Sequence, residues 1–156
     1  MTEKASLHLY QFAISHFCEK ARWALDYKGL DYKITNLLPG LHLSATKKLG
    51  TGSGLPILVH GDKTIQGSSQ IIDYLDQNFS PPSLTPEDPE QAAQAKQWEQ
   101  LADEEVGPHI RRILYHTLLA EPDIVKPFFA HQGPWYSALY LSIAYKKIAK
   151  TMRKFM

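Results

Sequence analysis

Ser15 and Cys18 stand three residues apart in Ser15-His16-Phe17-Cys18, at a point where a strand should run into a helix. Upstream, Leu7, Leu9, Tyr10 and Phe12 are strand-forming apolar types. Downstream, Ala21, Leu25 and Tyr27 recur among charged residues at helical spacing. A helix start presents free N–H groups and the positive end of the helix dipole. A hydroxyl there either caps the helix or donates a hydrogen bond to an anion docked on it. For a lone serine, capping is the plainer reading. Two later segments shift the balance.

Gly54-Leu55-Pro56-Ile57-Leu58-Val59 opens a strand with proline, where the missing ladder donor is tolerated. A trans bond before Pro56 would simply open an edge strand, and cis accounts for only about 5–6% of X–Pro bonds. A cis Leu55–Pro56 bond would instead turn the chain sharply and expose the Leu55 N–H and C=O to an extended peptide ligand. The second segment is Gln66-Gly67-Ser68-Ser69-Gln70-Ile71-Ile72-Asp73-Tyr74-Leu75. Ser68 or Ser69 reads as an N-cap, and Ile71, Ile72 and Leu75 form the apolar side of the helix. Two hydroxyls and free N–H groups at a helix start suit a carboxylate, with capping alone as the alternative.

In order and spacing, these three pieces resemble the cytosolic glutathione S-transferase family. The segment SHFCEKARWALDYKGLDY, with Ser-x-x-Cys at the start of the first helix, is most similar to bacterial members. The likeness covers residues 6–79 well and the helical remainder more loosely. It implies an α/β thioredoxin-like N-terminal domain with a mixed four-stranded sheet and three helices. An all-α domain, here short, should follow. It also implies glutathione as co-substrate without a metal, a small-molecule electrophile beside it, a homodimer and a detoxifying role. Ser15 would be the catalytic hydroxyl, and a cis Leu55–Pro56 is expected. Leu55 and Pro56 would hold the cysteinyl part, and Ser68 and Ser69 the γ-glutamyl end. His42, Lys47 or Lys48 would face the glycyl carboxylate, Lys48 first. Cys18 is left to redox chemistry or to packing. Arg22, two turns along the helix, reads as a structural ion-pair former.

The elements that must position these residues follow from the same patterns. We expect strand 6–10, helix 16–29, strand 31–36, helix 40–49, strand 56–60, strand 63–66 and helix 68–79. Gly29 closes the first helix, and Gly61-Asp62 turns a hairpin. This gives domains at 1–79 and 87–156 around a proline-rich linker, 80–86. Thr85-Pro86-Glu87-Asp88 should start the next helix, with Thr85 as cap. Ala95, Trp98, Ala102 and Val106 should form its buried stripe. Gly107-Pro108 should break or kink it before a continuation through Ile110, Ile113 and Leu114 to Leu118. Stops are expected at Glu121-Pro122 and Gly133-Pro134. A last helix over about 135–156 places Leu141, Ala144, Tyr145, Ile148, Met152 and Phe155 opposite a basic face that reads as solvated.

Composition narrows the function classes. The chain has 156 residues, 44% hydrophobic and 21% charged, the profile of a globular protein. A net charge of +1 does not suggest nucleic-acid binding. There is no apolar signal segment at the N-terminus and no run long enough to span a bilayer. One Cys excludes an internal disulfide and suits a reducing cytoplasm. Gly50-Thr51-Gly52-Ser53-Gly54 lacks the Gly-Lys-Ser/Thr of a phosphate loop and reads as a flexible connection. Seven His residues form no metal-ligand pattern.

Two departures from the family pattern stand out. Gly67 occupies the position before Ser68 where members commonly carry an acidic residue or Gln. The helical part is also short and ends at Lys154-Phe155-Met156 without a C-cap signal, so an incomplete electrophile site is expected. The alternatives to a transferase are a glutathione-dependent thiol oxidoreductase and a non-catalytic glutathione binder. The first needs Cys at position 15, where this chain has Ser.

Overall fold

The computed structural model describes residues 6–154. Its first half is an α/β layer: β1 (Leu7–Gln11), α1 (His16–Tyr27), β2 (Tyr32–Asn36), α2 (His42–Lys48), β3 (Ile57–His60), β4 (Lys63–Gln66) and α3 (Ser68–Asn78). The sheet order is β2-β1-β3-β4, with β1 parallel to β2 and antiparallel to β3. Leu7, Leu9, Leu25, Leu58, Ile71 and Leu75 are buried between the sheet, α1 and α3. This is the expected thioredoxin-like arrangement, a mixed sheet with three helices. Gly29 stands just past α1 at φ 63°, in the left-handed region that suits glycine.

Register brings the three sequence segments together. Tyr10 pairs with Ile57, and Ile57 pairs with Gln66. The end of β1, the start of β3 and the end of β4 therefore lie side by side. The loops beyond them carry Ser15, Leu55–Pro56 and Gly67–Ser68. The Leu55–Pro56 peptide is cis, as expected, and Pro81–Pro82 is a second cis bond that the sequence did not reveal.

The second half is helical: α4 (Pro89–Leu101), a π-helical turn (Ala102–Val106), α5 (Gly107–Leu118), α6 (Pro122–Ala130) and α7 (Ser137–Met152). Its own core gathers Leu119, Val125, Phe129, Leu141, Tyr145 and Ile148. The apolar side expected of the last helix is thus buried in part through Leu141, Tyr145 and Ile148, while Phe155 lies outside the described residues. The basic residues opposite are exposed, and the Arg153 guanidinium donates to the Leu119 carbonyl at 2.8 Å.

Two expectations are corrected. The cap of α4 is Asp88, whose carboxylate accepts from the Gln91 N–H at 2.9 Å. Pro89 takes the first helical position, where its missing N–H costs nothing, so Thr85 stays outside. The stripe from Ala95 to Val106 is not buried: Trp98 is 63% and Val106 47% exposed. Among the described residues no element covers it, because periodicity marks a stripe without supplying its partner. At Gly107-Pro108, where a break or kink was expected, a π turn interrupts the α-helix and the chain continues helical to Leu118. The π turn absorbs the proline, and the Gly107 N–H reaches back five residues to the Ala102 carbonyl.

Candidate functional site

Ser15 is the N-cap of α1, and its hydroxyl accepts from the Cys18 N–H at 3.5 Å. That long bond engages a lone pair and leaves the hydroxyl proton for another acceptor, so capping and donating coexist. The loop carrying Ser15 is braced from below. Buried Gln11 donates to Asn36 Oδ1 at 2.8 Å and accepts from Arg22. Arg22 also donates to the Ala13 carbonyl at 3.2 Å and pairs with Glu19. Its structural role matches its reading from sequence, while Gln11 was not singled out there.

Cys18 is fully buried, and burial pushes its thiol above the usual range, with the Ser15 hydroxyl pulling weakly the other way. A thiol that stays protonated inside a core is a packing group.

Leu55 and Ser68 line one cleft of about 490 Å³, together with Phe17, Gly67, Ser69 and Gln70 from the sheet half. Lys96, Glu99, Gln100, Asp103 and Glu104 close it from the helical half. Ser68 is 5% exposed and is the first residue of α3, with Gly67 as N-cap at φ 99°. This corrects the expectation that a serine caps the helix: the left-handed backbone at the cap position requires glycine. The Gly67 N–H donates to the Pro56 carbonyl at 2.9 Å, locking the β4–α3 corner to the cis-proline turn. The Gln66 amide braces the 52–54 segment through Gly52 and Gly54 carbonyls at 2.9 and 2.7 Å. Among the described residues, the loop hydrogen bonds leave the Leu55 N–H and C=O unpaired. Ser15 borders this sheet end without lining the cleft itself.

Ser69 differs in role from Ser68. Its hydroxyl donates to Asp103 Oδ2 at 2.7 Å and accepts from Lys20 Nζ at 3.2 Å. Lys20 also pairs with Asp103 at 2.6 Å and Glu99 at 3.2 Å. Lys96 bridges Asp73 and Glu99. This polar seam joins α1, α3 and α4. Each member is an ordinary surface type in its own helix, so no local signal could have found it.

Lys48 is exposed on the last turn of α2 and does not line the cleft. His42, at the start of α2, lies closer to the sheet end: its ring meets Phe12 edge-on at 4.9 Å. Burial lowers its pKa, so it is neutral near pH 7. On the helical side, a Cβ on Gly107 would stand 2.9 Å from His16 Nε2 and 3.3 Å from Phe17 Cζ. Only glycine lets α5 approach the start of α1 this closely.

A thioredoxin-like sheet thus sets a hydroxyl at one helix start beside a cis-proline turn and a second helix start. Residues 9–83 match the glutathione S-transferase N-terminal domain. Glutathione S-transferase 1 of Dianthus caryophyllus is 40% identical over 90 residues, covering 56% of this chain and 41% of that protein. A glutathione transferase homolog from Burkholderia, solved with bound glutathione, is 27% identical with a TM-score of 0.59; the match covers 76% of this chain and 67% of that one. The Tau class enzyme of mango shares the fold, with a TM-score of 0.64 at 20% identity over 97% of this chain and 80% of that one. In residues 9–83 the chain carries the N-terminal domain of the glutathione S-transferase family. It spans about half the length of the curated relatives it matches. Among the described residues no helix is long and apolar enough to cross a membrane.

Proposed function

We propose that this chain binds glutathione across the sheet end and activates its thiol for attack on an electrophilic carbon. The observation that carries this is the convergence of the α1 start, the unpaired Leu55 backbone and the α3 start on one edge of the sheet. The Leu55 N–H and C=O pair with the cysteinyl residue, as in strand addition. Ser68 and the first N–H groups of α3 take the γ-glutamyl carboxylate. The cysteinyl sulfur then faces Ser15.

The magnitudes suffice. A free thiol titrates near 8.5, and lowering that by two units takes about 2.7 kcal/mol of preference for the thiolate. A helix start supplies roughly 0.3–1 kcal/mol. A hydrogen bond to a charged acceptor supplies roughly 1.5–3 kcal/mol. The Ser15 O–H donates to the sulfur and is not itself the nucleophile. The thiol proton leaves to solvent, a sulfur–carbon bond forms, and the electrophile's leaving group departs with the bonding pair. The glutathione bound to the Burkholderia homolog supports the ligand assignment. The inert, buried Cys18 speaks against an oxidoreductase working through that residue.

In this reading residues 1–79 form the glutathione-binding domain, 80–86 the linker and 87–156 a helical domain that holds part of the electrophile. A homodimer in the cytoplasm fits the same family resemblance. Ser68→Ala is expected to weaken glutathione binding by about 1–3 kcal/mol, through a carboxylate left short of one donor. Titration calorimetry measures this, and unchanged affinity would remove Ser68 from the site.

A further inference from the structure

A line of amides runs from the Ser15 loop across the sheet into the helical half. Gln11 ends β1, is fully buried, and sits opposite Asn36 in the β1–β2 register. Its Nε2 donates to Asn36 Oδ1 at 2.8 Å, and its Oε1 accepts from Arg22. Asn36 donates in turn from Nδ2 to the Gln132 carbonyl at 2.8 Å. The direction of every bond is fixed. A guanidinium only donates, so Gln11 must turn its oxygen to Arg22 and its N–H to Asn36. Asn36 must then turn its oxygen to Gln11 and its N–H to Gln132. The line ends at a strained corner. Gln132 stands between α6 and α7 at φ 52°, the one non-glycine residue with positive φ among the described residues. Such a backbone persists where its surroundings hold it. Here Asn36 holds the Gln132 carbonyl, and a Cβ on neighbouring Gly133 would stand 3.2 Å from Leu38 Cδ2. At the other end, Arg22 holds the Ala13 carbonyl at 3.2 Å, and the Ser15 N–H donates to the Phe12 carbonyl at 3.1 Å.

We propose that Asn36 is a positioning residue for thiol activation, coupling the α6–α7 corner of the helical half to the Ser15 hydroxyl through Gln11. This rests on the Ser15 reading above. Neither Asn36 nor Gln11 lines the cleft, so their effect reaches the thiol through the loop that carries Ser15. Without the Asn36 oxygen, the buried Gln11 N–H is left unpaired, a costly state that the amide escapes by turning. Turning it removes the acceptor that Arg22 uses and loosens the guanidinium that holds Ala13. The half of the molecule assigned to the electrophile thereby sets the geometry that activates the thiol.

The test reads the thiolate absorbance titration of bound glutathione. Asn36→Ala should raise its pKa by about half a unit to one unit, a fraction of what the Ser15 hydrogen bond carries. Gln11→Met, similar in shape but unable to pair, should do the same, and it carries the test if Asn36→Ala does not fold. Affinity for S-methylglutathione, which has no thiol proton, should change by less than about twofold in both, since neither residue touches the cradle. In a Ser15→Ala background, Asn36→Ala should add no further shift. Tyr140→Phe cuts a neighbouring bond between the halves, from the Tyr140 hydroxyl to the Pro39 carbonyl at 2.8 Å. It lies off the line and should leave the pKa in place. An unshifted pKa in the Asn36 and Gln11 variants, an equal shift without the Ser15 hydroxyl, an equal shift in Tyr140→Phe, or a matching loss of S-methylglutathione affinity would overturn the inference alone. A Ser15→Ala chain that keeps the parent pKa would overturn the Ser15 reading and the inference with it.

Discussion

Asp76→Ala should destabilise the fold by about 3–5 kcal/mol, the cost of leaving a buried charge without its partner. Lys28 is the charge concerned: its side chain is 1% exposed and its ammonium lies 3.0 Å from Asp76 Oδ1. Its other bonds go to the Phe79 and Pro82 carbonyls at 3.4 and 3.0 Å, which carry no charge. Asp76 also accepts from the Leu84 and Thr85 N–H groups, both at 2.9 Å, so the substitution strips the linker of its anchor as well. Urea unfolding measures the loss. The double change Lys28→Met with Asp76→Leu should cost much less, since no charge is then stranded. A single-mutant cost under 1 kcal/mol would contradict this account. The pair also sets an acid dependence. Burial alone would raise the Asp76 carboxyl, but the Leu84 N–H, Lys28 and Thr85 bring it below the ordinary carboxylate range. Its contribution is therefore present above the unfolded-state value near 3.9 and lost as pH falls through the lower folded value. Asp76→Asn should flatten that part of the stability profile.

Ser15→Ala should raise the pKa of bound glutathione by roughly one to two units, matching the loss of one charged hydrogen bond. The thiolate absorbance titration reads this directly. At a pH well below the original pKa, the rate of conjugation should fall roughly ten- to a hundredfold, in line with the lost thiolate fraction. Cys18→Ser should leave conjugation nearly intact, because Cys18 is buried and its thiol is held protonated. Ser15→Cys should introduce disulfide exchange with glutathione, since a thiol at a helix start gains thiolate character. The reverse pattern, with Cys18→Ser abolishing activity and Ser15→Ala harmless, would place the chain with thiol oxidoreductases.

The first half was legible because its signals are local. Alternating apolar residues in Leu7–Gln11, the Gly61-Asp62 turn and the run Ile71, Ile72, Leu75 each fix an element by themselves, and strand register then places Ser15, Leu55 and Ser68 at one edge. The misses share a different cause: they depend on partners distant in sequence. Trp98 and Val106 have helical spacing, yet whether such a stripe is buried depends on what packs over it. Thr85 and Asp88 are both good caps, and the choice fell to Asp88 because Pro89 follows it and Asp76 holds the Thr85 N–H.

The polar seam of Lys20, Ser69, Asp73, Lys96, Glu99 and Asp103 has a thermodynamic consequence. The two hydrophobic clusters share no residue, and Ile14 of the β1–α1 loop packs against the helical one. Otherwise the crossing bonds are polar, such as Asn36 to the Gln132 carbonyl and Tyr140 to the Pro39 carbonyl, both at 2.8 Å. Partly exposed ion pairs such as those of the seam are screened as the Debye length shrinks to about 3 Å at 1 M. The attachment of α4 to α1 and α3 therefore draws in part on the screened kind of interaction. Raising the ionic strength is therefore expected to loosen the contact of α4 with α1 and α3.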